Sequence, residues 1–213
     1  MKEKLNFLSM LKFGIILAMF STFACVMLAF VYSGTSAIIA QRQQADLEAA
    51  LLELFPEEDG FKTVSDIQSP DPAVTIETAY VVMKNGNILG LALSLSRASY
   101  SGNIRTMVGV SDGGVITGVK ILEHSDTPGL GANAASPKYF VDRAKGITFY
   151  GQFTGKKVTD PFEVKNDVAA ITASTITSRA VSMSVKAAAI AATAWLEKAD
   201  ANLFSGISKG AAK

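Results

Sequence analysis

The chain is 213 residues long, with 20 Lys plus Arg against 19 Asp plus Glu, one His, one Cys and 49% hydrophobic residues, at a mean hydropathy of +0.28. A net charge of +1 offers no basic face to a nucleic-acid backbone. A single Cys and a single His exclude disulfide frameworks, Cys-ligated iron–sulfur clusters, CxxCH haem sites and multi-histidine zinc sites.

The apolarity is concentrated near the N-terminus. No charged residue lies between Lys12 and Arg42, and Phe13 to Tyr32 is twenty predominantly apolar positions, which as a helix spans about 30 Å, one bilayer core. We expect residues 1–12 to form a cytoplasmic N-terminus and 13–34 a single transmembrane helix. Lys2, Lys4 and Lys12 against Glu3 orient it by the positive-inside rule, with the remaining 17 basic and 18 acidic residues on the far side of the membrane. A cleaved signal peptide is the competing reading, but its apolar stretch is normally about 7–15 residues and ends at a small-x-small site. Thr35-Ser36-Ala37 imitates such a site poorly. Cys25 follows Thr22-Phe23-Ala24, a poor lipobox, and reads as an apolar residue of the span.

Residues 35–72 read as a helical connector followed by a loop. Positions 37–55 carry a helical apolar pattern that Pro56 stops, and Glu57 to Pro72 reads as irregular. Residues 73–198 form one α+β domain with an antiparallel sheet and packed helices. Val74 to Met83 and Ile88 to Leu95 flank Asn85-Gly86, a strong hairpin signal because both central residues of a type I′ turn need positive φ. Ile104 to Val110 and Val115 to Leu122 repeat the pattern around Asp112-Gly113-Gly114. Glu123 to Pro137 is a Gly- and Pro-rich loop, Tyr139 to Ala144 a short helix, and Ile147 to Val158 a short strand pair. A helix from about Thr177 to Lys198 buries Val181, Val185, Ala188, Ala192 and Trp195 at helical spacing. Residues 199–213 are expected to fray.

Two motifs carry chemistry. Thr172-Ala173-Ser174-Thr175-Ile176-Thr177-Ser178 crowds hydroxyls where an extended segment meets a helix. One or two would cap the helix. The excess also suits a phosphate, which first-turn amides and the helix dipole stabilise; spacing leaves both readings open. His124-Ser125-Asp126-Thr127-Pro128-Gly129-Leu130-Gly131 is a tight turn by composition, whose glycines also let backbone approach a flat ligand. No GxSxG elbow accompanies His124, so we assign no catalytic acid–base or nucleophile set and no metal ligand.

HSDTPGLG followed by TASTITSRAV resembles the FMN-binding domain family of bacterial respiratory complexes, in particular the G subunits of Rnf-type ion-translocating electron-transport complexes. It is similar also to the C subunit of the sodium-pumping NADH:quinone reductase. In that family a flavin transferase joins the phosphate of FMN to a Thr closing a D-x-x-[ST]-G-A-T motif. On this chain Thr172 takes the [ST] place and Thr175 the acceptor place. Ala173 stands for Gly, Ser174 for Ala, and Ala169 for the leading Asp, with Asp167 two residues earlier.

The resemblance implies covalent FMN on Thr175, with Thr172, Ser174, Ile176 and Thr177 around the attachment. It places His124, Asp126, Thr127, Gly129, Leu130 and Gly131 against the isoalloxazine, Asp126 standing where the family often has Glu. Gly151 to Lys156 resembles a further family stretch that makes Lys156 a flavin contact. The function implied is an electron-transfer subunit of a membrane-bound oxidoreductase complex that couples electron transfer between ferredoxin and NAD to ion movement. Its partners would be the other membrane subunits and the flavin transferase, with no complete reaction in the isolated subunit. The alternatives are the quinone-reductase C subunit and a membrane-anchored binding or assembly module in which T-A-S-T is only a cap.

Overall fold

The computed structural model describes residues 7–56, 58–65 and 67–210, with side chains from 9 to 199. Lys2, Glu3 and Lys4, on which the expected orientation rests, and the tail residues 211–213 lie outside the described residues. The chain divides into one unit ending at Asp46 and a second beginning at Leu47.

The first unit is helical. Helix α1, Phe7–Leu54, runs without a break from the apolar segment into the connector, and it is long and apolar enough to cross a membrane. Phe13, Leu17, Phe20, Phe23, Leu28 and Phe30 are all exposed, an apolar surface of the kind that a membrane or a partner covers. The hydroxyl of Thr35 donates to the Val31 carbonyl at 2.9 Å, so this polar group is satisfied within the helix.

In the second unit, β1 (Gly60–Val64), β2 (Val74–Lys84), β3 (Asn87–Ala98), β4 (Asn103–Ser111) and β5 (Ile116–Glu123) form an antiparallel sheet in sequential order. The β2–β3 hairpin turns at Asn85 and Gly86, with φ of 51° and 80°, as the Asn-Gly pair requires. β1 occupies a stretch that reads as loop in the sequence. It is a short edge strand whose central residues are exposed, so no alternation of buried positions marks it.

Alternation along the strands gives the sheet two apolar faces. Val81, Leu91, Leu93, Leu95, Val108 and Val110 face one core, while Tyr80, Val82, Ala92 and Met107 face another, closed by Ala50, Leu51, Leu54 and Phe55 from the last turns of α1. Gly118 permits that closure: a Cβ there would lie 2.8 Å from Leu54 Cδ2. The larger core is covered by α2, Thr175–Gly210, whose Val181, Val185, Ala188 and Ala192 are fully buried at the expected spacing. Trp195 is half-buried beside them. The helix begins two residues before its expected start and continues through 199–210, where fraying is expected from the sequence.

Two short elements correct the sequence reading. Tyr139 to Ala144 is not a helix; β6 (Phe140–Asp142) pairs with β7 (Ile147–Thr148). Asp142 Oδ1 accepts the amides of Ala144 and Lys145 at 3.1 and 3.2 Å, and Gly146 takes φ 66°, so side-chain turn chemistry overrides helix propensity. Past Thr148 the expected strand pair gives way to a 3-10 turn, Gly151–Phe153, because Phe149 and Phe153 turn inward and meet edge to face at 5.8 Å.

Candidate functional site

The N-terminus of α2 is built by a chain reversal over Ile171 to Ser174. Ala173 has φ 60°, a left-handed conformation that suits Gly better than a residue with Cβ. The Ser174 amide donates to the Ile171 carbonyl at 3.0 Å. Ser178, fully buried, donates its hydroxyl to the Ser174 carbonyl and accepts the Ile171 amide, both at 2.9 Å. Upstream, Gln152 holds Ala169 by a reciprocal pair of 2.8 and 3.1 Å, and the Thr172 amide donates to the Tyr139 hydroxyl at 3.2 Å.

These bonds sort the hydroxyls. Ser178 ties the reversal to the helix. Thr177, 1% exposed, donates to Asp126 Oδ2 at 2.7 Å. Ser174 and Thr175 keep side-chain hydroxyls with no hydrogen-bond partner among the described residues, and both line a cavity of about 470 Å³. The amides of Thr175, Ile176 and Thr177, in the first turn, have no intrahelical acceptor.

The opposite wall is the loop after β5. Asp126 is 5% exposed; its Oδ2 accepts the hydroxyls of Ser99 at 2.6 Å and Thr177, and its Oδ1 accepts the Ser101 amide at 2.9 Å. Burial pushes this carboxyl up, but the bonds from Ser99, Ser101 and Thr177 and the nearby His124 outweigh it and hold it below the usual carboxylate range. Gly131 is required by close approach: a Cβ there would lie 2.6 Å from Thr177 Oγ1 and 2.7 Å from Asp126 Cβ.

The two sequence motifs therefore meet across one cavity. Asp126, Thr127, Leu130 and Gly131 line one side and Ser174, Thr175, Ile176 and Thr177 the other; the volume is that of a small-molecule site. Tyr100 and Ala173 also line it and are absent from the set expected from sequence. Tyr100 is an aromatic residue at a hairpin tip, a signal too common to single out. Thr172, His124, Gly129 and Lys156 are not among the lining residues. Thr172 is exposed, and the His124 ring is half-buried with Nδ1 lacking a partner. Lys156 pairs with Asp167 at 2.9 Å, and the same carboxylate accepts the amides of Phe162 and Glu163 at 3.2 and 2.6 Å. That ammonium is occupied in pinning the segment that leads to α2.

Residues 99–190 match the family model of the FMN-binding domain, and residues 1–54 match that of the RnfG N-terminal region. The first match begins at Ser99 and contains every lining residue of the cavity. The chain is 32% identical over 202 residues to the G subunit of the Na(+)-translocating ferredoxin:NAD(+) oxidoreductase complex of Acetobacterium woodii, covering 86% of this chain and 92% of that one. It is 29% identical over 198 residues to the G subunit of the ion-translocating oxidoreductase complex of Shewanella piezotolerans, covering 85% and 89%. The crystal structure of NqrC from Shewanella oneidensis overlaps 58% of this chain and 66% of its own at 18% identity and a TM-score of 0.41, a likeness too distant to carry an argument.

Proposed function

The chain belongs to the family of G subunits of ion-translocating oxidoreductase complexes, and on that premise we propose that its cavity holds FMN esterified through its phosphate to Thr175 Oγ1. It is an electron-transfer flavoprotein subunit whose redox partners lie on neighbouring subunits. When bound, FMN supplies reversible electron transfer; the protein supplies binding, orientation and electrostatics.

The observation that carries this reading is the free hydroxyl pair, Ser174 and Thr175, at a helix N-terminus facing a cavity whose far wall is formed by Asp126, Thr127, Leu130 and Gly131. First-turn amides and the helix dipole would neutralise the phosphate. Leu130 and Ile176, 43% and 55% exposed, are apolar surfaces that a flat ring would cover, excluding water from it. Capping cannot account for Thr175, because Ser178 and Thr177 already tie the turn together.

By the name of the Acetobacterium woodii relative, the electrons run between ferredoxin and NAD, and by the names of both relatives the transfer is coupled to ion movement. The apolar part of α1 anchors the subunit in the inner membrane with the N-terminus cytoplasmic and the FMN domain on the extracytoplasmic side. Maturation requires a flavin transferase. The G-subunit match over residues 1–54 favours this complex over the sodium-pumping quinone reductase. Co-expression with the transferase and in-gel fluorescence after denaturation tests the reading: wild type fluoresces and Thr175→Ala does not, whereas a dark wild type with an active transferase favours an anchored module without covalent flavin.

A further inference from the structure

The rim of the cavity carries an aromatic side chain that neither motif includes. Tyr100, in the turn between β3 and β4, is 71% exposed and lines the cavity. Exposed hairpin tips are ordinarily mobile, yet this one is fixed on both sides of the tyrosine to one buried carboxylate. Ser99 Oγ donates to Asp126 Oδ2 at 2.6 Å, and the Ser101 amide donates to Oδ1 at 2.9 Å. The Ser99 amide closes the turn on the Gly102 carbonyl at 2.7 Å. Because Asp126 Oδ2 also accepts Thr177 of α2, the backbone of Tyr100 is held in a set relation to the helix turn that carries Thr175.

Three exposed apolar side chains, Tyr100, Leu130 and Ile176, thus come from three separate elements to one cavity. Water gains nothing from such a cluster, whereas a planar aromatic ligand would cover all three. The hydroxyls and amides of Ser174 to Thr177 occupy the polar side of the same space, so a ligand with a phosphate and a flat ring matches it end to end.

Resting on the reading that the cavity holds FMN, we propose that Tyr100 forms an aromatic wall of the isoalloxazine subsite, its phenol ring lying in contact with the flavin ring. An electron-rich phenol in contact with an excited flavin quenches its fluorescence, and an ordered ring–ring contact imposes a visible circular-dichroism band. Neither signal depends on turnover.

The test uses full-length, flavin-loaded protein in detergent, comparing wild type with Tyr100→Phe and Tyr100→Leu. We expect native wild type to be quenched relative to its own denatured form, and both variants to gain fluorescence yield severalfold at equal flavin content. Tyr100→Phe keeps the visible dichroism because its ring still stacks, and Tyr100→Leu loses most of it. Loaded variants with wild-type quenching and dichroism would overturn the inference while leaving FMN at Thr175 intact. A wild type without flavin, made beside an active transferase, would overturn the functional reading and the inference together.

Discussion

Thr177 Oγ1 donates a 2.7 Å hydrogen bond to Asp126 Oδ2 across 51 residues of sequence, and this bond joins the two walls of the cavity. Asp126 is 5% exposed and Thr177 1%, so solvent has little access to replace either partner. Asp126→Ala removes the acceptor for Ser99, Ser101 and Thr177 at once and should destabilise the fold by about 2–4 kcal/mol, since bonds to a charged group are each worth about 1.5–3 kcal/mol and a stranded buried donor adds its own penalty. Denaturant melts of the full-length protein in detergent would check this; a loss under about 0.5 kcal/mol, the size of an ordinary surface substitution, would contradict it.

The same carboxylate should shape the acid limb of stability. Its folded pKa lies below the usual aspartate value, so its contribution is fully present above that usual value and is lost as pH falls through the folded pKa. Asp167, raised by burial but lowered further by Lys156 and the Glu163 and Phe162 amides, acts in the same direction, and Glu58, raised by burial, acts in the opposite one. Stability therefore falls on acidification below about pH 4. Asp126→Asn should start lower at neutral pH and show a shallower acid slope, measured as melting temperature against pH.

Much of the sheet is legible in the sequence because its signals are local. Asn85-Gly86 demands positive φ whatever surrounds it, and Val181, Val185, Ala188 and Ala192 mark the buried face of α2 by spacing alone. β1 escapes notice because an edge strand buries almost nothing. The 139–144 segment misleads because one side chain, Asp142, caps a turn there. In the site, the crowd of hydroxyls is visible in sequence, but which of them are free depends on Asp126 and Ile171 reaching Thr177 and Ser178. Lys156 is expected at the flavin from a family stretch alone, whereas its pairing with Asp167, eleven residues away, is legible only in the fold.

Gly131 and Gly129 should respond differently to alanine. At Gly131 the new methyl collides with Thr177 Oγ1 and Asp126, and overpacking of this kind costs about 1–3 kcal/mol while also prising the walls apart. At Gly129 there is open space but φ is +77°, so the cost is about 1 kcal/mol of backbone strain. Flavin content after loading separates them: Gly131→Ala should lose flavin, and Gly129→Ala should keep it.

Ala173→Gly inverts the usual rule that glycine destabilises. Relief of a left-handed alanine is worth about 1–2 kcal/mol and the added chain entropy of glycine takes back about 0.5–1 kcal/mol, so the melting temperature should rise or hold. The variant also restores the family's glycine before the acceptor, and its yield of attached flavin should match or exceed wild type. A fall in both would contradict the geometry at this residue.

Lys156→Gln leaves Asp167 half-buried without its cation and should destabilise by about 1–3 kcal/mol. Because Lys156 does not line the cavity, the absorption spectrum and quenching of attached flavin should not change. A shifted flavin spectrum at unchanged stability would return this lysine to the flavin.

Thr175, rather than any neighbouring hydroxyl, should carry the flavin. Trypsin cuts after Lys165 and Arg179, giving one peptide, Asn166 to Arg179, that contains Thr172, Ser174, Thr175, Thr177 and Ser178. Tandem mass spectrometry of that peptide, from protein made with an active flavin transferase, locates the attachment. We expect the mass of FMN less one water on Thr175 alone. The same mass on another hydroxyl, or an unmodified peptide, would contradict it.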